Sequence, residues 1–164
     1  MTTMFDRRSL LGGGAAAAIA LWIGAAEAGE GGPRPKAPFQ LADAEWRKRL
    51  SPQAYAVLRQ AATERAFTSP LNKEKRRGTF ICAGCDQKLF DSRTKYESHT
   101  GWPSFWRPLP KAIGTSIDRD IGVARTEVHC ARCGGHLGHV FNDGPMPTGL
   151  RYCMNGVAMK FVAA

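Results

Sequence analysis

Apolar positions along the chain fall into three textures. From Leu10 to Ala26 they form a Gly- and Ala-rich run without a single charge. After Ser51 they recur at helical spacing, at Ala54, Tyr55, Leu58, Ala61 and Ala62, the mark of an amphipathic helix. Ser51-Pro52 supplies a capping hydroxyl followed by proline at the first helical position. The spacing predicts a helix ending near Glu64, preceded by a shorter one over residues 43–50. Past Gly78 the helical period vanishes. Thr79-Phe80-Ile81, Glu127-Val128-His129, Val140-Phe141 and Met159-Lys160-Phe161-Val162 are short β-type runs separated by Gly, Pro, Asn and Asp clusters. The pattern predicts a mainly antiparallel β domain over residues 41–164 with a small helical preface.

The first texture reads as an address rather than as fold. Arg7-Arg8 stands ahead of the uncharged run, and Ala26-Glu27-Ala28 offers a small-x-small cleavage site. That is the layout of a twin-arginine-type signal peptide over residues 1–28. A single membrane anchor is the competing reading, because the run approaches the length of a short spanning helix. Gly12-Gly13-Gly14 weakens any helix there. The expectation is cleavage, export to the periplasm and no stable membrane association afterwards. Residues 29–40, rich in Gly, Pro and Lys, read as a flexible linker.

Composition adds less than the cysteines do. Of 164 residues, 43% are hydrophobic and 23% charged, an ordinary globular balance that excludes bulk disorder and a multi-pass membrane protein. The formal charge of +9 raises the question of nucleic acid. Its basic residues are scattered, however, with Lys73, Lys75, Arg76 and Arg77 the one tight run. That run reads as a solvated loop, and no nucleic-acid partner is expected.

Five cysteines cannot all pair in disulfides. Cys82-Ala83-Gly84-Cys85 and Cys130-Ala131-Arg132-Cys133 are two C-x-x-C pairs, each with glycine in or just after the turn. Two such turns can offer four thiolates in a tetrahedron, which suits one zinc ion. A redox C-x-x-C and two structural disulfides are the alternatives; the βαβ setting of the former is missing from the pattern. Four ligands leave no open position, so the metal is expected to be structural.

Cys153 then stands alone. In a strand, Arg151, Cys153 and Asn155 share one face, while Tyr152 and Met154 point to the other. A buried structural thiol is the plain reading of a free cysteine. The polar company on its own face points instead to a nucleophile of lowered pKa. Gly135-His136-Leu137-Gly138-His139 places two histidines three apart directly after a metal pair, where zinc ligation competes with a pocket role. Gly101-Trp102-Pro103-Ser104-Phe105-Trp106 can form an aromatic wall, including Trp102 and Phe105, able to hold an apolar group; ordinary core aromatics are the alternative.

Together these segments, with Arg125-Thr126-Glu127-Val128, Asp143-Gly144-Pro145 and Pro147-Thr148-Gly149-Leu150-Arg151-Tyr152-Cys153, resemble the methionine-R-sulfoxide reductases from about Leu50 to Phe161. The resemblance implies two antiparallel sheets forming a distorted barrel, with zinc remote from the active cysteine. It implies Cys153 as nucleophile, Trp102 packed on the substrate's methyl group, and His136, His139, Arg151 and Asn155 as polar pocket residues. In that chemistry the thiolate attacks the sulfoxide sulfur, a protonated His139 serves as acid, Asn155 and His136 orient water and oxygen, and Cys153 ends as a sulfenic acid. Substrates would be oxidised proteins or free methionine sulfoxide.

Two positions depart from that family's common pattern. Many members carry a resolving cysteine just before Gly-Trp-Pro-Ser-Phe, where this chain has Thr100. With four cysteines held by metal, no second thiol remains for an intramolecular disulfide. An external thiol, thioredoxin-like or another thiol protein, is therefore expected to reduce the sulfenic acid. Ile121 stands where many members have histidine. A monomer is expected.

Overall fold

The computed structural model describes residues 36–119 and 121–164. The expected signal peptide and residues 29–35 of the expected linker lie outside the described residues. Residues 36–40 of that linker are docked: the Phe39 amide donates to the Arg132 carbonyl at 2.9 Å, and its ring meets Trp46 edge-on at 5.8 Å. Among the described residues no helix is long and apolar enough to cross a membrane.

Helix α1 spans Asp43–Arg49 and α2 spans Pro52–Gln60. The Ser51 hydroxyl accepts from the Ala54 amide, as the capping pattern predicts. Helix α2 stops at Gln60 rather than near Glu64, because Ala61 takes a left-handed conformation with φ of 56°. That turn releases the chain to run across the molecule, where Glu64 has other partners. Ala54, Tyr55, Val57 and Leu58 are the buried face of α2.

Among the described residues nine strands follow: β1 Gly78–Cys82, β2 Lys88–Asp91, β3 Lys95–Tyr96, β4 Ser104–Phe105, β5 Ile113–Asp118, β6 Arg125–Cys130, β7 His136–Phe141, β8 Arg151–Met154 and β9 Met159–Ala163. They form two antiparallel sheets, one ordered β2-β1-β9 and the other β3-β4-β8-β7-β6-β5. The mainly β class is thus as expected. Strands β3 and β5 stand at the two edges of the larger sheet, so "barrel" describes it only loosely.

The core lies between the sheets. Phe80 of β1, Phe90 of β2 and Phe105 of β4 are fully buried; Phe105 stacks on Phe90 at 4.3 Å and meets Phe80 edge-on at 4.9 Å. Phe105 is therefore a core residue and not part of the substrate wall. Strand alternation is the reason: its neighbour Ser104 takes the face opposite the core ring and pairs with Cys153. In β8, Tyr152 and Met154 are buried while Arg151 and Cys153 are half-buried, the alternation the sequence predicts.

Candidate active site and metal centre

Cys82 and Cys130 end β1 and β6, and each begins the same kind of turn. The Asp86 amide donates to the Cys82 carbonyl at 2.9 Å and the Gly134 amide to the Cys130 carbonyl at 2.8 Å. Both donors take left-handed φ angles, 61° and 69°. The two turns face each other and bring the four Sγ atoms within 4.8 Å of one another, all four residues buried. Cys82 and Cys133 approach to 3.7 Å, Cys85 and Cys130 to 3.5 Å. A tetrahedron of metal–sulfur bonds of about 2.3 Å has edges of about 3.8 Å. The cluster fits such an ion, and it ties the smaller sheet to the larger one.

Cys153 lies elsewhere, in the middle of the larger sheet. It pairs with His139 of β7 on one side and Ser104 of β4 on the other. Directly opposed residues of an antiparallel pair share a face about 5 Å apart, so the register brings the imidazole beside the thiol. Gly138 makes the approach possible: a Cβ there would lie 2.1 Å from the Cys153 carbonyl oxygen. The Thr100 hydroxyl is 3.8 Å from the sulfur.

The thiol is not lowered as the sequence suggests. Burial pushes it up from its ordinary value, and Thr100 and Arg151 only partly offset that. Arg151 is engaged by Asp143, with Nε to Oδ1 and Nη2 to Oδ2 both at 2.8 Å, so its charge is shared before it reaches the sulfur.

Both histidines are held by carboxylates. His139 Nε2 lies 2.7 Å from Asp118 Oδ2, which also accepts from Arg125 at 2.6 Å. Burial lowers the His139 pKa; the bond to Asp118 opposes the shift, and the Arg125 charge adds to it. His136 is 3% exposed, with Nδ1 2.7 Å from Glu127 Oε1, and Ser116 donates to the other oxygen at 2.7 Å. Its Nε2 is buried without a hydrogen-bond partner among the described residues. The two rings lie edge to face at 5.4 Å. Neither reaches the cysteine cluster's set of ligands.

Asn155 falls just beyond β8 and is buried. Its Oδ1 accepts from the Glu64 amide at 2.9 Å, and its Nδ2 donates to the Leu137 carbonyl at 3.1 Å. Glu64 is the residue sequence reading missed most plainly. Its carboxylate accepts from the Gly156 and Val157 amides at 2.5 and 3.0 Å, and its carbonyl accepts from Trp102 Nε1 at 3.1 Å. One residue thus couples the aromatic wall to the turn behind the thiol. Asp118, Glu127 and Ser116 were missed as well; a strand carboxylate carries no local signal of which histidine it will meet.

Residues 50–163 match the profile of the SelR domain. A peptide methionine sulfoxide reductase MsrB of Leptospira interrogans is 53% identical over 120 residues, covering 73% of this chain and 92% of its own. The MsrB of Agrobacterium fabrum is 52% identical over 120 residues, covering 73% and 89%. That of Methanosarcina barkeri is 50% identical over 123 residues, covering 74% and 87%. Among solved structures, the Yippee-like domain of Mis18 is similar at a TM-score of 0.45 and 18% identity, over 54% of this chain and 98% of that one.

Proposed function

The chain belongs to the SelR-domain family and is a methionine sulfoxide reductase; from that premise we propose that it reduces the R epimer of methionine sulfoxide by direct attack of Cys153. The observation that carries this reading is the register of β7 and β8, which sets a half-buried thiol opposite an imidazole. With the Cys153 thiol raised and the His139 imidazole lowered, the resting pair is neutral and holds one proton on sulfur. Asp118 accepts from His139 Nε2, which leaves Nδ1 for proton work.

Moving that proton from Sγ to His139 creates thiolate and imidazolium together. The thiolate attacks the sulfoxide sulfur while the imidazolium protonates the oxygen. Oxygen passes to Cys153 as sulfenic acid and methionine departs. Thiol plus sulfoxide gives sulfenic acid plus thioether, so the step balances without another reductant. Two equivalents of an external thiol then return Cys153 to the thiol, releasing water and a disulfide. Trp102 packs on the methyl group, Arg151 and His136 complete the polar wall, and Asn155 and Glu64 hold the turn behind the nucleophile.

Cys82, Cys85, Cys130 and Cys133 would hold one zinc ion, whose closed thiolate set gives it a structural role. Oxidised proteins and free methionine sulfoxide are both substrates of the right chemistry. The leader, residues 1–28, supports export by the twin-arginine route to the periplasm, with the mature monomer meeting a periplasmic thiol protein.

Incubating the protein and its Cys153→Ser variant with each epimer and dithiothreitol tests the reading. We expect methionine from the R epimer alone and none from the variant. Equal turnover of both epimers, or turnover by the variant, would overturn it.

A further inference from the structure

Beside the nucleophile, Ser104 of β4 and the segment leading into that strand carry a chain of hydroxyls with no part in the proposed reaction. Thr100 Oγ1 is 3.8 Å from Cys153 Sγ and 2.8 Å from Ser98 Oγ; Ser98 Oγ is 2.7 Å from Ser104 Oγ; Ser104 Oγ is 3.1 Å from the Trp102 carbonyl oxygen. Ser104 is fully buried and sits opposite Cys153 in the sheet. Each hydroxyl owns one proton, so the chain can be ordered in only a few ways.

When Cys153 is a thiol, one order satisfies every group. The thiol donates to Thr100, Thr100 to Ser98, Ser98 to Ser104, and Ser104 to the Trp102 carbonyl. When Cys153 is a thiolate, the order reverses. Ser104 turns from the carbonyl to Ser98, Ser98 donates to Thr100, and Thr100 donates to sulfur. No O–H bond breaks; three rotors turn. Aligned hydrogen bonds polarise one another, so the last donor in the chain is stronger than a lone hydroxyl.

We propose that Ser104, Ser98 and Thr100 form a reversible hydroxyl relay that stabilises the Cys153 thiolate, with Thr100 a catalytic residue, Ser104 a second hydroxyl against the sulfur, and Ser98, which does not touch it, a positioning residue acting through them. The proposal deepens the reading of Cys153 as nucleophile and rests on it. It also gives Thr100 a role at the position where a resolving cysteine would otherwise stand. A hydroxyl there cannot form a disulfide, but it can hold the thiolate before attack.

The test is alkylation of Cys153 by iodoacetamide across pH, read at the Cys153 peptide by mass spectrometry, on the metal-loaded chain. The variants are Thr100→Val, Ser98→Ala and Thr100→Ser. Melting and metal content check that each is folded. Thr100→Val and Ser98→Ala should each raise the alkylation midpoint by about one pH unit, and Thr100→Ser should keep that of the wild type. A wild-type profile in Ser98→Ala overturns the relay, because Ser98 does not touch the sulfur. So does a wild-type profile in Thr100→Val. The Ser98→Ala comparison decides the matter even if Thr100→Val does not fold. Methionine sulfoxide turnover is assayed in the same samples. Shifted profiles in a wild type inactive on both epimers would support the relay and overturn the proposed function; unshifted profiles with normal turnover would do the reverse.

Discussion

Burial and proton sharing compete at Cys153. Removing the thiolate from water raises its pKa above the ordinary 9.0, while burial draws His139 below its ordinary 6.5. In the proposed mechanism the state that attacks has one proton shared by the two groups, and it titrates as a pair. Acid ends it by protonating His139 while sulfur is still a thiol; base ends it by removing the last proton. Sulfoxide reduction in a single turnover should therefore show a broad plateau, falling only below 6.5 on the acid side and above 9.0 on the basic side. Rapid-quench measurement of methionine across pH checks this, and an acid limb above 6.5 would contradict the lowering of His139 by burial. Asp118→Asn withdraws the contact that opposes the lowering of His139, so its acid limb should move to still lower pH. The strand face of Cys153 and its closeness to the His136–His139 segment were legible because rare residue types in tight local clusters are informative. Asp118, Glu127 and Glu64 were not, since the histidines that Asp118 and Glu127 meet lie 21 and 9 residues away along the chain and the partners of Glu64 lie 38 to 93 away.

Elements, not residues, set the distances. Strands β7 and β8 approach because position 138 has no side chain. Gly138→Ala would place a methyl 2.1 Å from the Cys153 carbonyl oxygen and force the strands apart. The expected cost is about 3 kcal/mol, visible as a lower urea midpoint, with turnover falling alongside. The two cysteine turns act at the same scale. They join β1 to β6, strands of different sheets, so if the four thiolates hold the proposed zinc, its removal by chelator should lower the melting temperature by more than about 10 °C without alkylation or loss of the Cys153 thiol. Differential scanning calorimetry with and without chelator measures it. The strand runs, the capped helix and the alternation in β8 could all be read from local pattern. Two errors came from tertiary context. Phe105 was expected on the aromatic wall, but its place in β4 turns it to the core against Phe90. Helix α2 was carried too far, because the left-handed turn at Ala61 serves a distant contact between Glu64 and Asn155.

The whole molecule separates a buried four-cysteine cluster, which fits a metal ion, from the half-buried thiol of Cys153. If residues 1–28 direct the folded chain through the twin-arginine route, the four clip thiols are already buried on arrival in an oxidising compartment and only Cys153 is open to chemistry. Replacing Arg7-Arg8 by two lysines should then hold the protein in the cytoplasm, and cell fractionation with an antibody to the chain reads this out. In the proposed cycle the same separation has a consequence: the other four cysteines lie in the buried cluster, so the Cys153 sulfenic acid waits for an external thiol. The most direct test is one turnover without reductant. The metal-loaded protein is mixed with excess R epimer of methionine sulfoxide, the methionine formed is counted, and Cys153 is probed with dimedone and by peptide mass spectrometry. The account predicts one methionine per chain and a dimedone adduct at Cys153, with no intramolecular disulfide and the metal retained. A disulfide between Cys153 and any of Cys82, Cys85, Cys130 or Cys133, with the metal released, would contradict it.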